Sequence, residues 1–352
     1  MREIIAIDFF CGVGGLTRGL MDAGINVVKG IDIDETVEET YTKNNKGVVF
    51  LNEDITGLSV AELMKSIDRR GKALLLAGCA PCQPFSNQNK NKEENDNRKS
   101  LIMSFGNFVE KLRPDYIISE NVPGFIKDNN KNHSFFVKLL DDLNYVFDEG
   151  VKNAKNYGVP QNRSRYVLLA SANNTKVSLP EATHGKGKRD LVLVKDTIKR
   201  YPKITAGGKS ELVPNHESRK LEPINLKRIR LVPHNGGSRS SLPRRLMLNC
   251  HKDHNGHSDV YGRMSWNKVA PALTCKCTCL TNGRYGHPTQ DRAISLREAA
   301  ALQTFSDKYI FYGNITDITR HIGNSVPVRM ARRLGLSVME MERDQNSGSE
   351  SG

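Results

Sequence analysis

The sequence predicts an α/β fold: a doubly wound, mostly parallel sheet with a second, smaller and irregular domain. Three observations point there. Over the first 170 residues, short apolar runs alternate with amphipathic stretches, the rhythm of strand–helix units that wind a parallel sheet. A glycine-rich segment, Gly12-Val13-Gly14-Gly15, joins the first apolar run to the first amphipathic one. From about residue 177 the rhythm fades, while Lys, Arg, Gly, Pro, His and Asn become more frequent.

Taken in order, the strand candidates are Ile4–Phe10, Val27–Ile31, Ala73–Leu76, Tyr116–Ser119 and Tyr166–Ala170. Helical patterns lie between them at Leu16–Ala23, Thr36–Lys43, Val60–Asp68, Leu101–Leu112 and Phe135–Leu143, and return at Leu296–Gln303 and Val326–Met341. The resulting division is 1–179 for the sheet domain and 180–290 for the irregular basic domain. Residues 291–345 then form a junction with helices returning to the first domain, and the Ser/Gly-rich 346–352 is a disordered tail. Ligands of such sheets bind beyond the carboxyl ends of the strands, so the residues that follow each strand carry the interest.

Fifty-two Lys and Arg against 39 Asp and Glu give a net charge of +13, a balance suited to a polyanionic partner. No apolar run is long enough to span a bilayer, and the N-terminus is too short and too soon acidic for a signal peptide. The reading is a cytoplasmic protein. Seven cysteines, an odd count, argue for free thiols over a disulfide framework.

Asp8-Phe9-Phe10-Cys11-Gly12-Val13-Gly14-Gly15 follows the first strand, where glycines let the backbone turn tightly and approach a ligand. Thr17 occupies the place of the third glycine of a dinucleotide fingerprint, so this is not the standard NAD signature. Asp32, ending the second strand, is placed to accept from ribose hydroxyls, and Asp54 from an adenine amino group. A plain tight turn is the competing reading of the loop. Gly78-Cys79-Ala80-Pro81-Cys82-Gln83-Pro84-Phe85-Ser86 follows the third strand candidate and leads into a polar stretch from Asn87 to Lys99, the composition of a lid. Glu120 closes an apolar strand, where a carboxylate must be paired, ligated or functional. Arg163 and Arg165, on alternate residues, share one face and could grip a phosphate or a base edge.

In this order the motifs resemble the bacterial cytosine-5 DNA methyltransferase family. Asp8-x-Phe10-x-Gly12-x-Gly14-Gly15, Pro81-Cys82-Gln83-x-Phe85-Ser86, Glu120-Asn121-Val122, Gln161-x-Arg163-x-Arg165, Arg292-x-x-Ser295-x-Arg297-Glu298-x-Ala300 and Gly323-Asn324-Ser325-Val326-Pro327 carry the match. It runs from residue 4 to about 340 with 180–280 unmatched. The resemblance implies a Rossmann-like methyltransferase sheet with S-adenosyl-L-methionine as cofactor, and a target-recognition domain at 180–290. By resemblance, the Cys82 thiolate adds to C6 of a flipped-out cytosine. Glu120 holds N3 and the exocyclic amine, and Arg163 and Arg165 hold ring and phosphate. The cofactor pocket maps onto Phe10, Gly12, Gly14, Gly15, Leu16, Asp32, Ile33, Asp54, Ile55, Pro81, Asn324, Ser325 and Val326. Expected DNA contacts are Gln83, Ser86, Lys227, Arg228, Arg230, Arg244 and Arg245, with base reading concentrated between Ser238 and Arg284. The implied partner is double-stranded DNA at the nucleoid, bound by a monomer. The implied setting is a restriction-modification or related DNA-modification system, with a cognate restriction endonuclease acting independently.

Two departures stand out: Ala301 where the family commonly has arginine, and Gly78-Cys79-Ala80-Pro81 in place of Gly-Gly-Pro-Pro. A tRNA cytosine-5 methyltransferase on the same fold shares most motifs, but its Pro-Cys-Gln-Pro-Phe-Thr ending is Ser86 here and the 180–290 stretch is long. A catalytically silent nucleic-acid-binding module is opposed by the intact Cys82, Glu120, Arg163 and Arg165. Cys250, His251, His254, His257 and Cys275-x-Cys277-x-Cys279 raise a zinc site, but C-x-C-x-C spacing is wrong for a knuckle. A half-buried strand with no metal is the preferred reading.

Overall fold

The computed structural model describes residues 1–80, 100–127, 131–173, 176–249 and 259–348. The chain divides into two units: residues 1–153, 164–182 and 328–352 form the first, and 154–163 with 183–327 the second. The stretch expected at 291–345 as one junction is thus shared, with 291–327 in the second unit and the last helix in the first.

The first unit is built on seven strands: β1 (Ile4–Phe9), β2 (Asn26–Asp32), β3 (Val49–Asn52), β4 (Ala73–Gly78), β5 (Tyr116–Asn121), β6 (Val146–Asn153) and β8 (Ser164–Ser171). Their order is β3-β2-β1-β4-β5-β8-β6. The pairs from β3 through β5 are parallel, and β8 runs antiparallel to both neighbours. Strand order therefore reverses between β1 and β4, where a doubly wound sheet opens a crevice at its carboxyl edge. β1, β4 and β5 are buried at every position, which is why they read in the sequence as continuous apolar runs.

Helices α1 (Gly15–Asp22), α2 (Glu38–Asn44), α3 (Val60–Lys65), α4 (Ser100–Leu112), α5 (Asn132–Asp142) and α10 (Val328–Gly348) complete this unit. Phe9 packs against Phe105 and Phe108 of α4, and Phe105 against Phe136 of α5. α1 crosses α10 so closely that a Cβ on Gly19 would lie 2.3 Å from that of Ala331; glycine is required there. α10 runs through Gly348, so the helix continues into the segment expected to be a disordered tail.

The second unit holds β7 (Gln161–Asn162) paired in parallel with β9 (Ala270–Pro271), and the helices α6 (Val194–Ile198), α7 (Pro223–Leu231), α8 (Leu296–Leu302) and α9 (Ile315–Asn324). Ser295 opens α8 with a capping box closed by Glu298, and Asn314 caps α9. One core of this unit gathers Ile229, Val232, Leu242, Val260, Tyr261, Leu280 and Ala293.

Candidate active site

The loop after β1 is held in an unusual conformation. Phe10 (φ 59°), Gly12 (φ 50°) and Gly14 (φ 82°) are all left-handed, a region that a bulky side chain such as Phe10 rarely adopts. A Cβ on Gly12 would meet nothing within 4 Å, so the loop faces open space. Gly12 N donates to Asp32 Oδ2 at 2.8 Å, and Asp34 N to Asp32 Oδ1 at 2.9 Å. Beside it Ile33 is 68% exposed, an apolar surface at a strand end that a planar ring would cover. Asp54 is exposed and accepts from Thr56 N at 2.8 Å, Ile55 is buried, and Leu16 is buried in α1.

Beneath this loop lies a motif residue, Asp8, to which the sequence assigns no role. Asp8 is fully buried; its Oδ2 accepts from Thr17 Oγ1 at 2.6 Å, Thr17 meets Tyr41 OH at 2.9 Å, and Asp8 Oδ1 has no hydrogen-bond partner. Burial pushes its carboxyl up to about 7, against the hydrogen bond from Thr17. Thr17, where a dinucleotide fingerprint has glycine, was the available signal.

Glu120 and Asn121 end β5. Glu120 is 7% exposed, and its Oε1 lies 3.1 Å from Arg165 Nε of β8. The contact is an ion pair without aligned hydrogen-bond geometry, since Oε1 has no hydrogen-bond partner. Asn121 Nδ2 donates to Ala80 O at 3.3 Å, so the chain just after β4 is tied to the end of β5 next to Glu120. Pro81, Cys82, Gln83 and Ser86 lie outside the described residues.

The structure separates the two arginines expected to share a face. Arg165 belongs to the first unit, but Arg163 belongs to the second and is 2% exposed. Arg163 Nη1 donates to Leu273 O at 2.7 Å and Gly323 O at 3.1 Å, so its guanidinium holds backbone and is not presented to a phosphate. Asn324, Ser325 and Val326, just after Gly323, are exposed, half-buried and buried in turn.

Among the expected DNA contacts, Lys227, Arg230, Arg244 and Arg245 are exposed. Arg228 is the exception. It is buried against Tyr261, with Nε donating to Leu246 O at 2.8 Å and Nη1 to Asn225 Oδ1 at 2.8 Å, because its place on α7 faces that unit's core. Cys275, Cys277 and Cys279 lie in successive turns and not on a strand: Cys277 N donates to Thr274 O and Cys279 N to Lys276 O. Only Cys277 of the three is buried. Cys250, His251, His254 and His257 lie outside the described residues.

Residues 4–340 match the family described as C-5 cytosine-specific DNA methylase. The chain is similar to the Type II methylase M.HgiDII of Herpetosiphon aurantiacus, 39% identical over 341 residues that cover 94% of each protein. It is also similar to the Type II methyltransferase M1.HphI of Haemophilus parahaemolyticus, 30% identical over 96% of this chain and 87% of the relative. Among solved structures, it resembles one described as a DNA modification methyltransferase encoded within an Escherichia coli prophage, with TM-score 0.76 and 23% identity over 97% of this chain and all of that one. It resembles Spodoptera frugiperda DNMT2 with TM-score 0.66 and 18% identity over 96% of this chain and all of that one. Both structural likenesses speak for the fold.

Proposed function

Since the chain belongs to the C-5 cytosine-specific DNA methylase family, we propose that Cys82, Glu120 and Arg165 carry the chemistry and that the β1 loop holds S-adenosylmethionine. The protein is a DNA (cytosine-5)-methyltransferase. The observation that best supports the site is the Glu120–Arg165 pair at 3.1 Å, beside the Asn121–Ala80 hydrogen bond that anchors the base of the Cys82 segment.

The residues present fit the cofactor: Asp32 offers a carboxylate to ribose hydroxyls, Ile33 an exposed apolar side chain, and Gly12 an open backbone. When bound, S-adenosylmethionine supplies an electrophilic methyl group on a sulfonium sulfur. Cys82 attacks C6 of the cytosine as thiolate, and the electron pair displaced from the C5–C6 double bond makes C5 nucleophilic. Glu120 holds the ring at N3 and the exocyclic amine as charge moves into it. Arg165, already paired with Glu120, fixes the orientation of that carboxyl. After C5 is alkylated it loses its proton, the C5–C6 bond re-forms and the Cys82 sulfur departs. The base must leave the duplex to reach such a site.

Two named relatives are Type II enzymes, which supports a role in a restriction-modification system, with sequence reading assigned to the stretch 180–290. The likeness to DNMT2, at 18% identity, speaks for the fold alone and adds no second substrate. The test is a duplex with 5-fluorocytosine at the methylated position, found by sequencing plasmid DNA from an expressing host. Wild type should form a denaturation-stable adduct and Cys82→Ser none. An adduct of equal yield with Cys82→Ser would remove Cys82 from the mechanism.

A further inference from the structure

Two of the sequence motifs, and Gln303 three residues beyond a third, meet in one buried network inside the second unit. Gln303, which follows α8, is fully buried. Its Nε2 donates to Ile322 O at 2.7 Å and to Ser325 O at 3.2 Å. Its Oε1 accepts from Gln161 Nε2 at 3.0 Å, and Gln161 Oε1 accepts from Leu273 N at 2.8 Å. Arg163 Nη1 then bridges Leu273 O and Gly323 O.

These bonds answer a requirement of the helix. The last four carbonyls of α9 have no partner within it and must find one elsewhere. His321 O accepts from Ser325 N and Oγ, Ile322 O takes Gln303, and Gly323 O takes Arg163. The close approach depends on glycine, because a Cβ on Gly323 would lie 2.0 Å from Thr274 O. The backbone from Ile322 to Ser325 is therefore fixed by the Gln303 amide and the Arg163 guanidinium, while Asn324 between them is exposed.

We infer that Gln303 is a positioning residue for cofactor binding, acting through the carbonyls of Ile322 and Ser325 to hold Asn324 and Ser325 in their binding conformation before the cofactor arrives. The inference rests on the reading that Asn324–Val326 meets S-adenosylmethionine. Pre-ordering the segment removes an ordering cost from binding. Only an amide serves here, since Gln303 must donate twice and accept once in a buried place.

Gln303→Glu keeps the shape but sets a carboxylate against two carbonyl oxygens. Burial and those oxygens raise the pKa of the new carboxyl. Its protonated form can donate one of the two bonds, so cofactor binding should be weakest at high pH and recover as pH falls. By calorimetry with S-adenosylmethionine and no DNA, affinity should drop about tenfold at pH 8 and recover in part at pH 6 relative to wild type. Duplex DNA affinity without cofactor should stay within about twofold. Gln303→Met should show the loss without the pH dependence, and it stands in if Gln303→Glu does not fold. Unchanged cofactor affinity in both variants overturns the inference, as does a parallel fall of cofactor affinity, DNA affinity and thermal stability, or failure of both variants to fold. Asn324→Ala separates the underlying reading: if it binds S-adenosylmethionine as wild type does, that segment is not a cofactor contact, whatever Gln303 does.

Discussion

In the sheet unit the backbone groups of β1, β4 and β5 are answered by one another along parallel ladders, and the core is apolar and aromatic. The second unit has short helices and a two-residue strand pair, and there buried guanidinium groups answer the backbone. Arg263, fully buried, donates to the carbonyls of Val232, His287, Gln290 and Ile229 and to Asp291. Arg297, also fully buried, donates to the carbonyls of Pro214, Ser306 and Tyr309. Arg292 forms a bidentate pair with Glu298 at 2.7 Å and also holds Ala293 O. A planar five-donor fork joins several loops at once, as no apolar side chain can. Part of the +13 charge is therefore internal scaffold, and a basic sequence overstates the positive surface offered to DNA.

The strongest way to break this contrast is Arg263→Lys. The charge is kept, but an ammonium has three donors and no fork, so buried carbonyls lose their partners. A loss of about 3–5 kcal/mol is expected, read by urea unfolding. Hydrogen exchange should rise across 204–297 while β1, β4 and β5 keep their protection. Equal deprotection in both units would show that the arginine scaffold does not act locally.

The same contrast explains what the sequence made legible. β1, β2, β4, β5 and β8 lie at the expected places within a few residues, because strands buried on both faces leave continuous apolar runs. β6, Val-Phe-Asp-Glu-Gly-Val-Lys-Asn, was missed since it is a half-exposed strand at the end of the sheet order with no such run. α9 was missed although Asn314 caps it and Ile315, Ile318 and Ile322 recur at i, i+3 and i+7, a stripe of three apolar residues in a short and otherwise polar segment. The site motifs were readable as residue types at strand ends. The burial of Arg163 and Arg228 was not, since composition does not say whether a guanidinium faces solvent or carbonyls.

Acid should act in opposite directions on two buried groups, one in each unit. Asp8 titrates near 7 when folded, against an ordinary 3.8. The native state thus binds a proton more readily than the unfolded chain, and stability falls as pH rises from about 4 to about 7, by a few kcal/mol at most. Asp8→Asn should raise the melting temperature at pH 8 and change it little at pH 4; an equal shift at both would contradict the assignment. His287 has the reverse sign. Burial, opposed by Glu298, lowers its imidazole to about 3 from an ordinary 6.5, so folding stability is lost as pH falls through 6.5 toward 3. His287→Asn should lose less stability than wild type between pH 6.5 and 4.5, by roughly 1–2 kcal/mol. Identical acid profiles for the two proteins would refute a neutral buried His287.

The smallest expected effect bears most directly on DNA. Lys227, Arg228 and Arg230 are neighbours on α7, and on sequence alone they form one basic group. In the structure Lys227 and Arg230 face solvent, with Arg230 3.9 Å from Asp291, whereas Arg228 lies under Leu246 and over the Tyr261 ring. Counterion release ties each phosphate contact to a unit change in the salt dependence of binding, about −0.9 in log affinity per log salt. If Lys227 and Arg230 each meet a phosphate, Lys227→Gln and Arg230→Gln should each weaken binding to all duplexes and flatten that slope by about one. Thermal stability should stay unchanged, because exposed charges contribute little to folding. Arg228→Met should do the opposite, lowering the melting temperature while leaving the slope of any folded protein intact. Salt titrations of duplex affinity on the three variants distinguish the roles. A slope reduced by Arg228→Met as much as by Lys227→Gln would mean that Arg228 leaves its pocket to reach DNA, and the division between scaffold and surface arginines would fail at that residue.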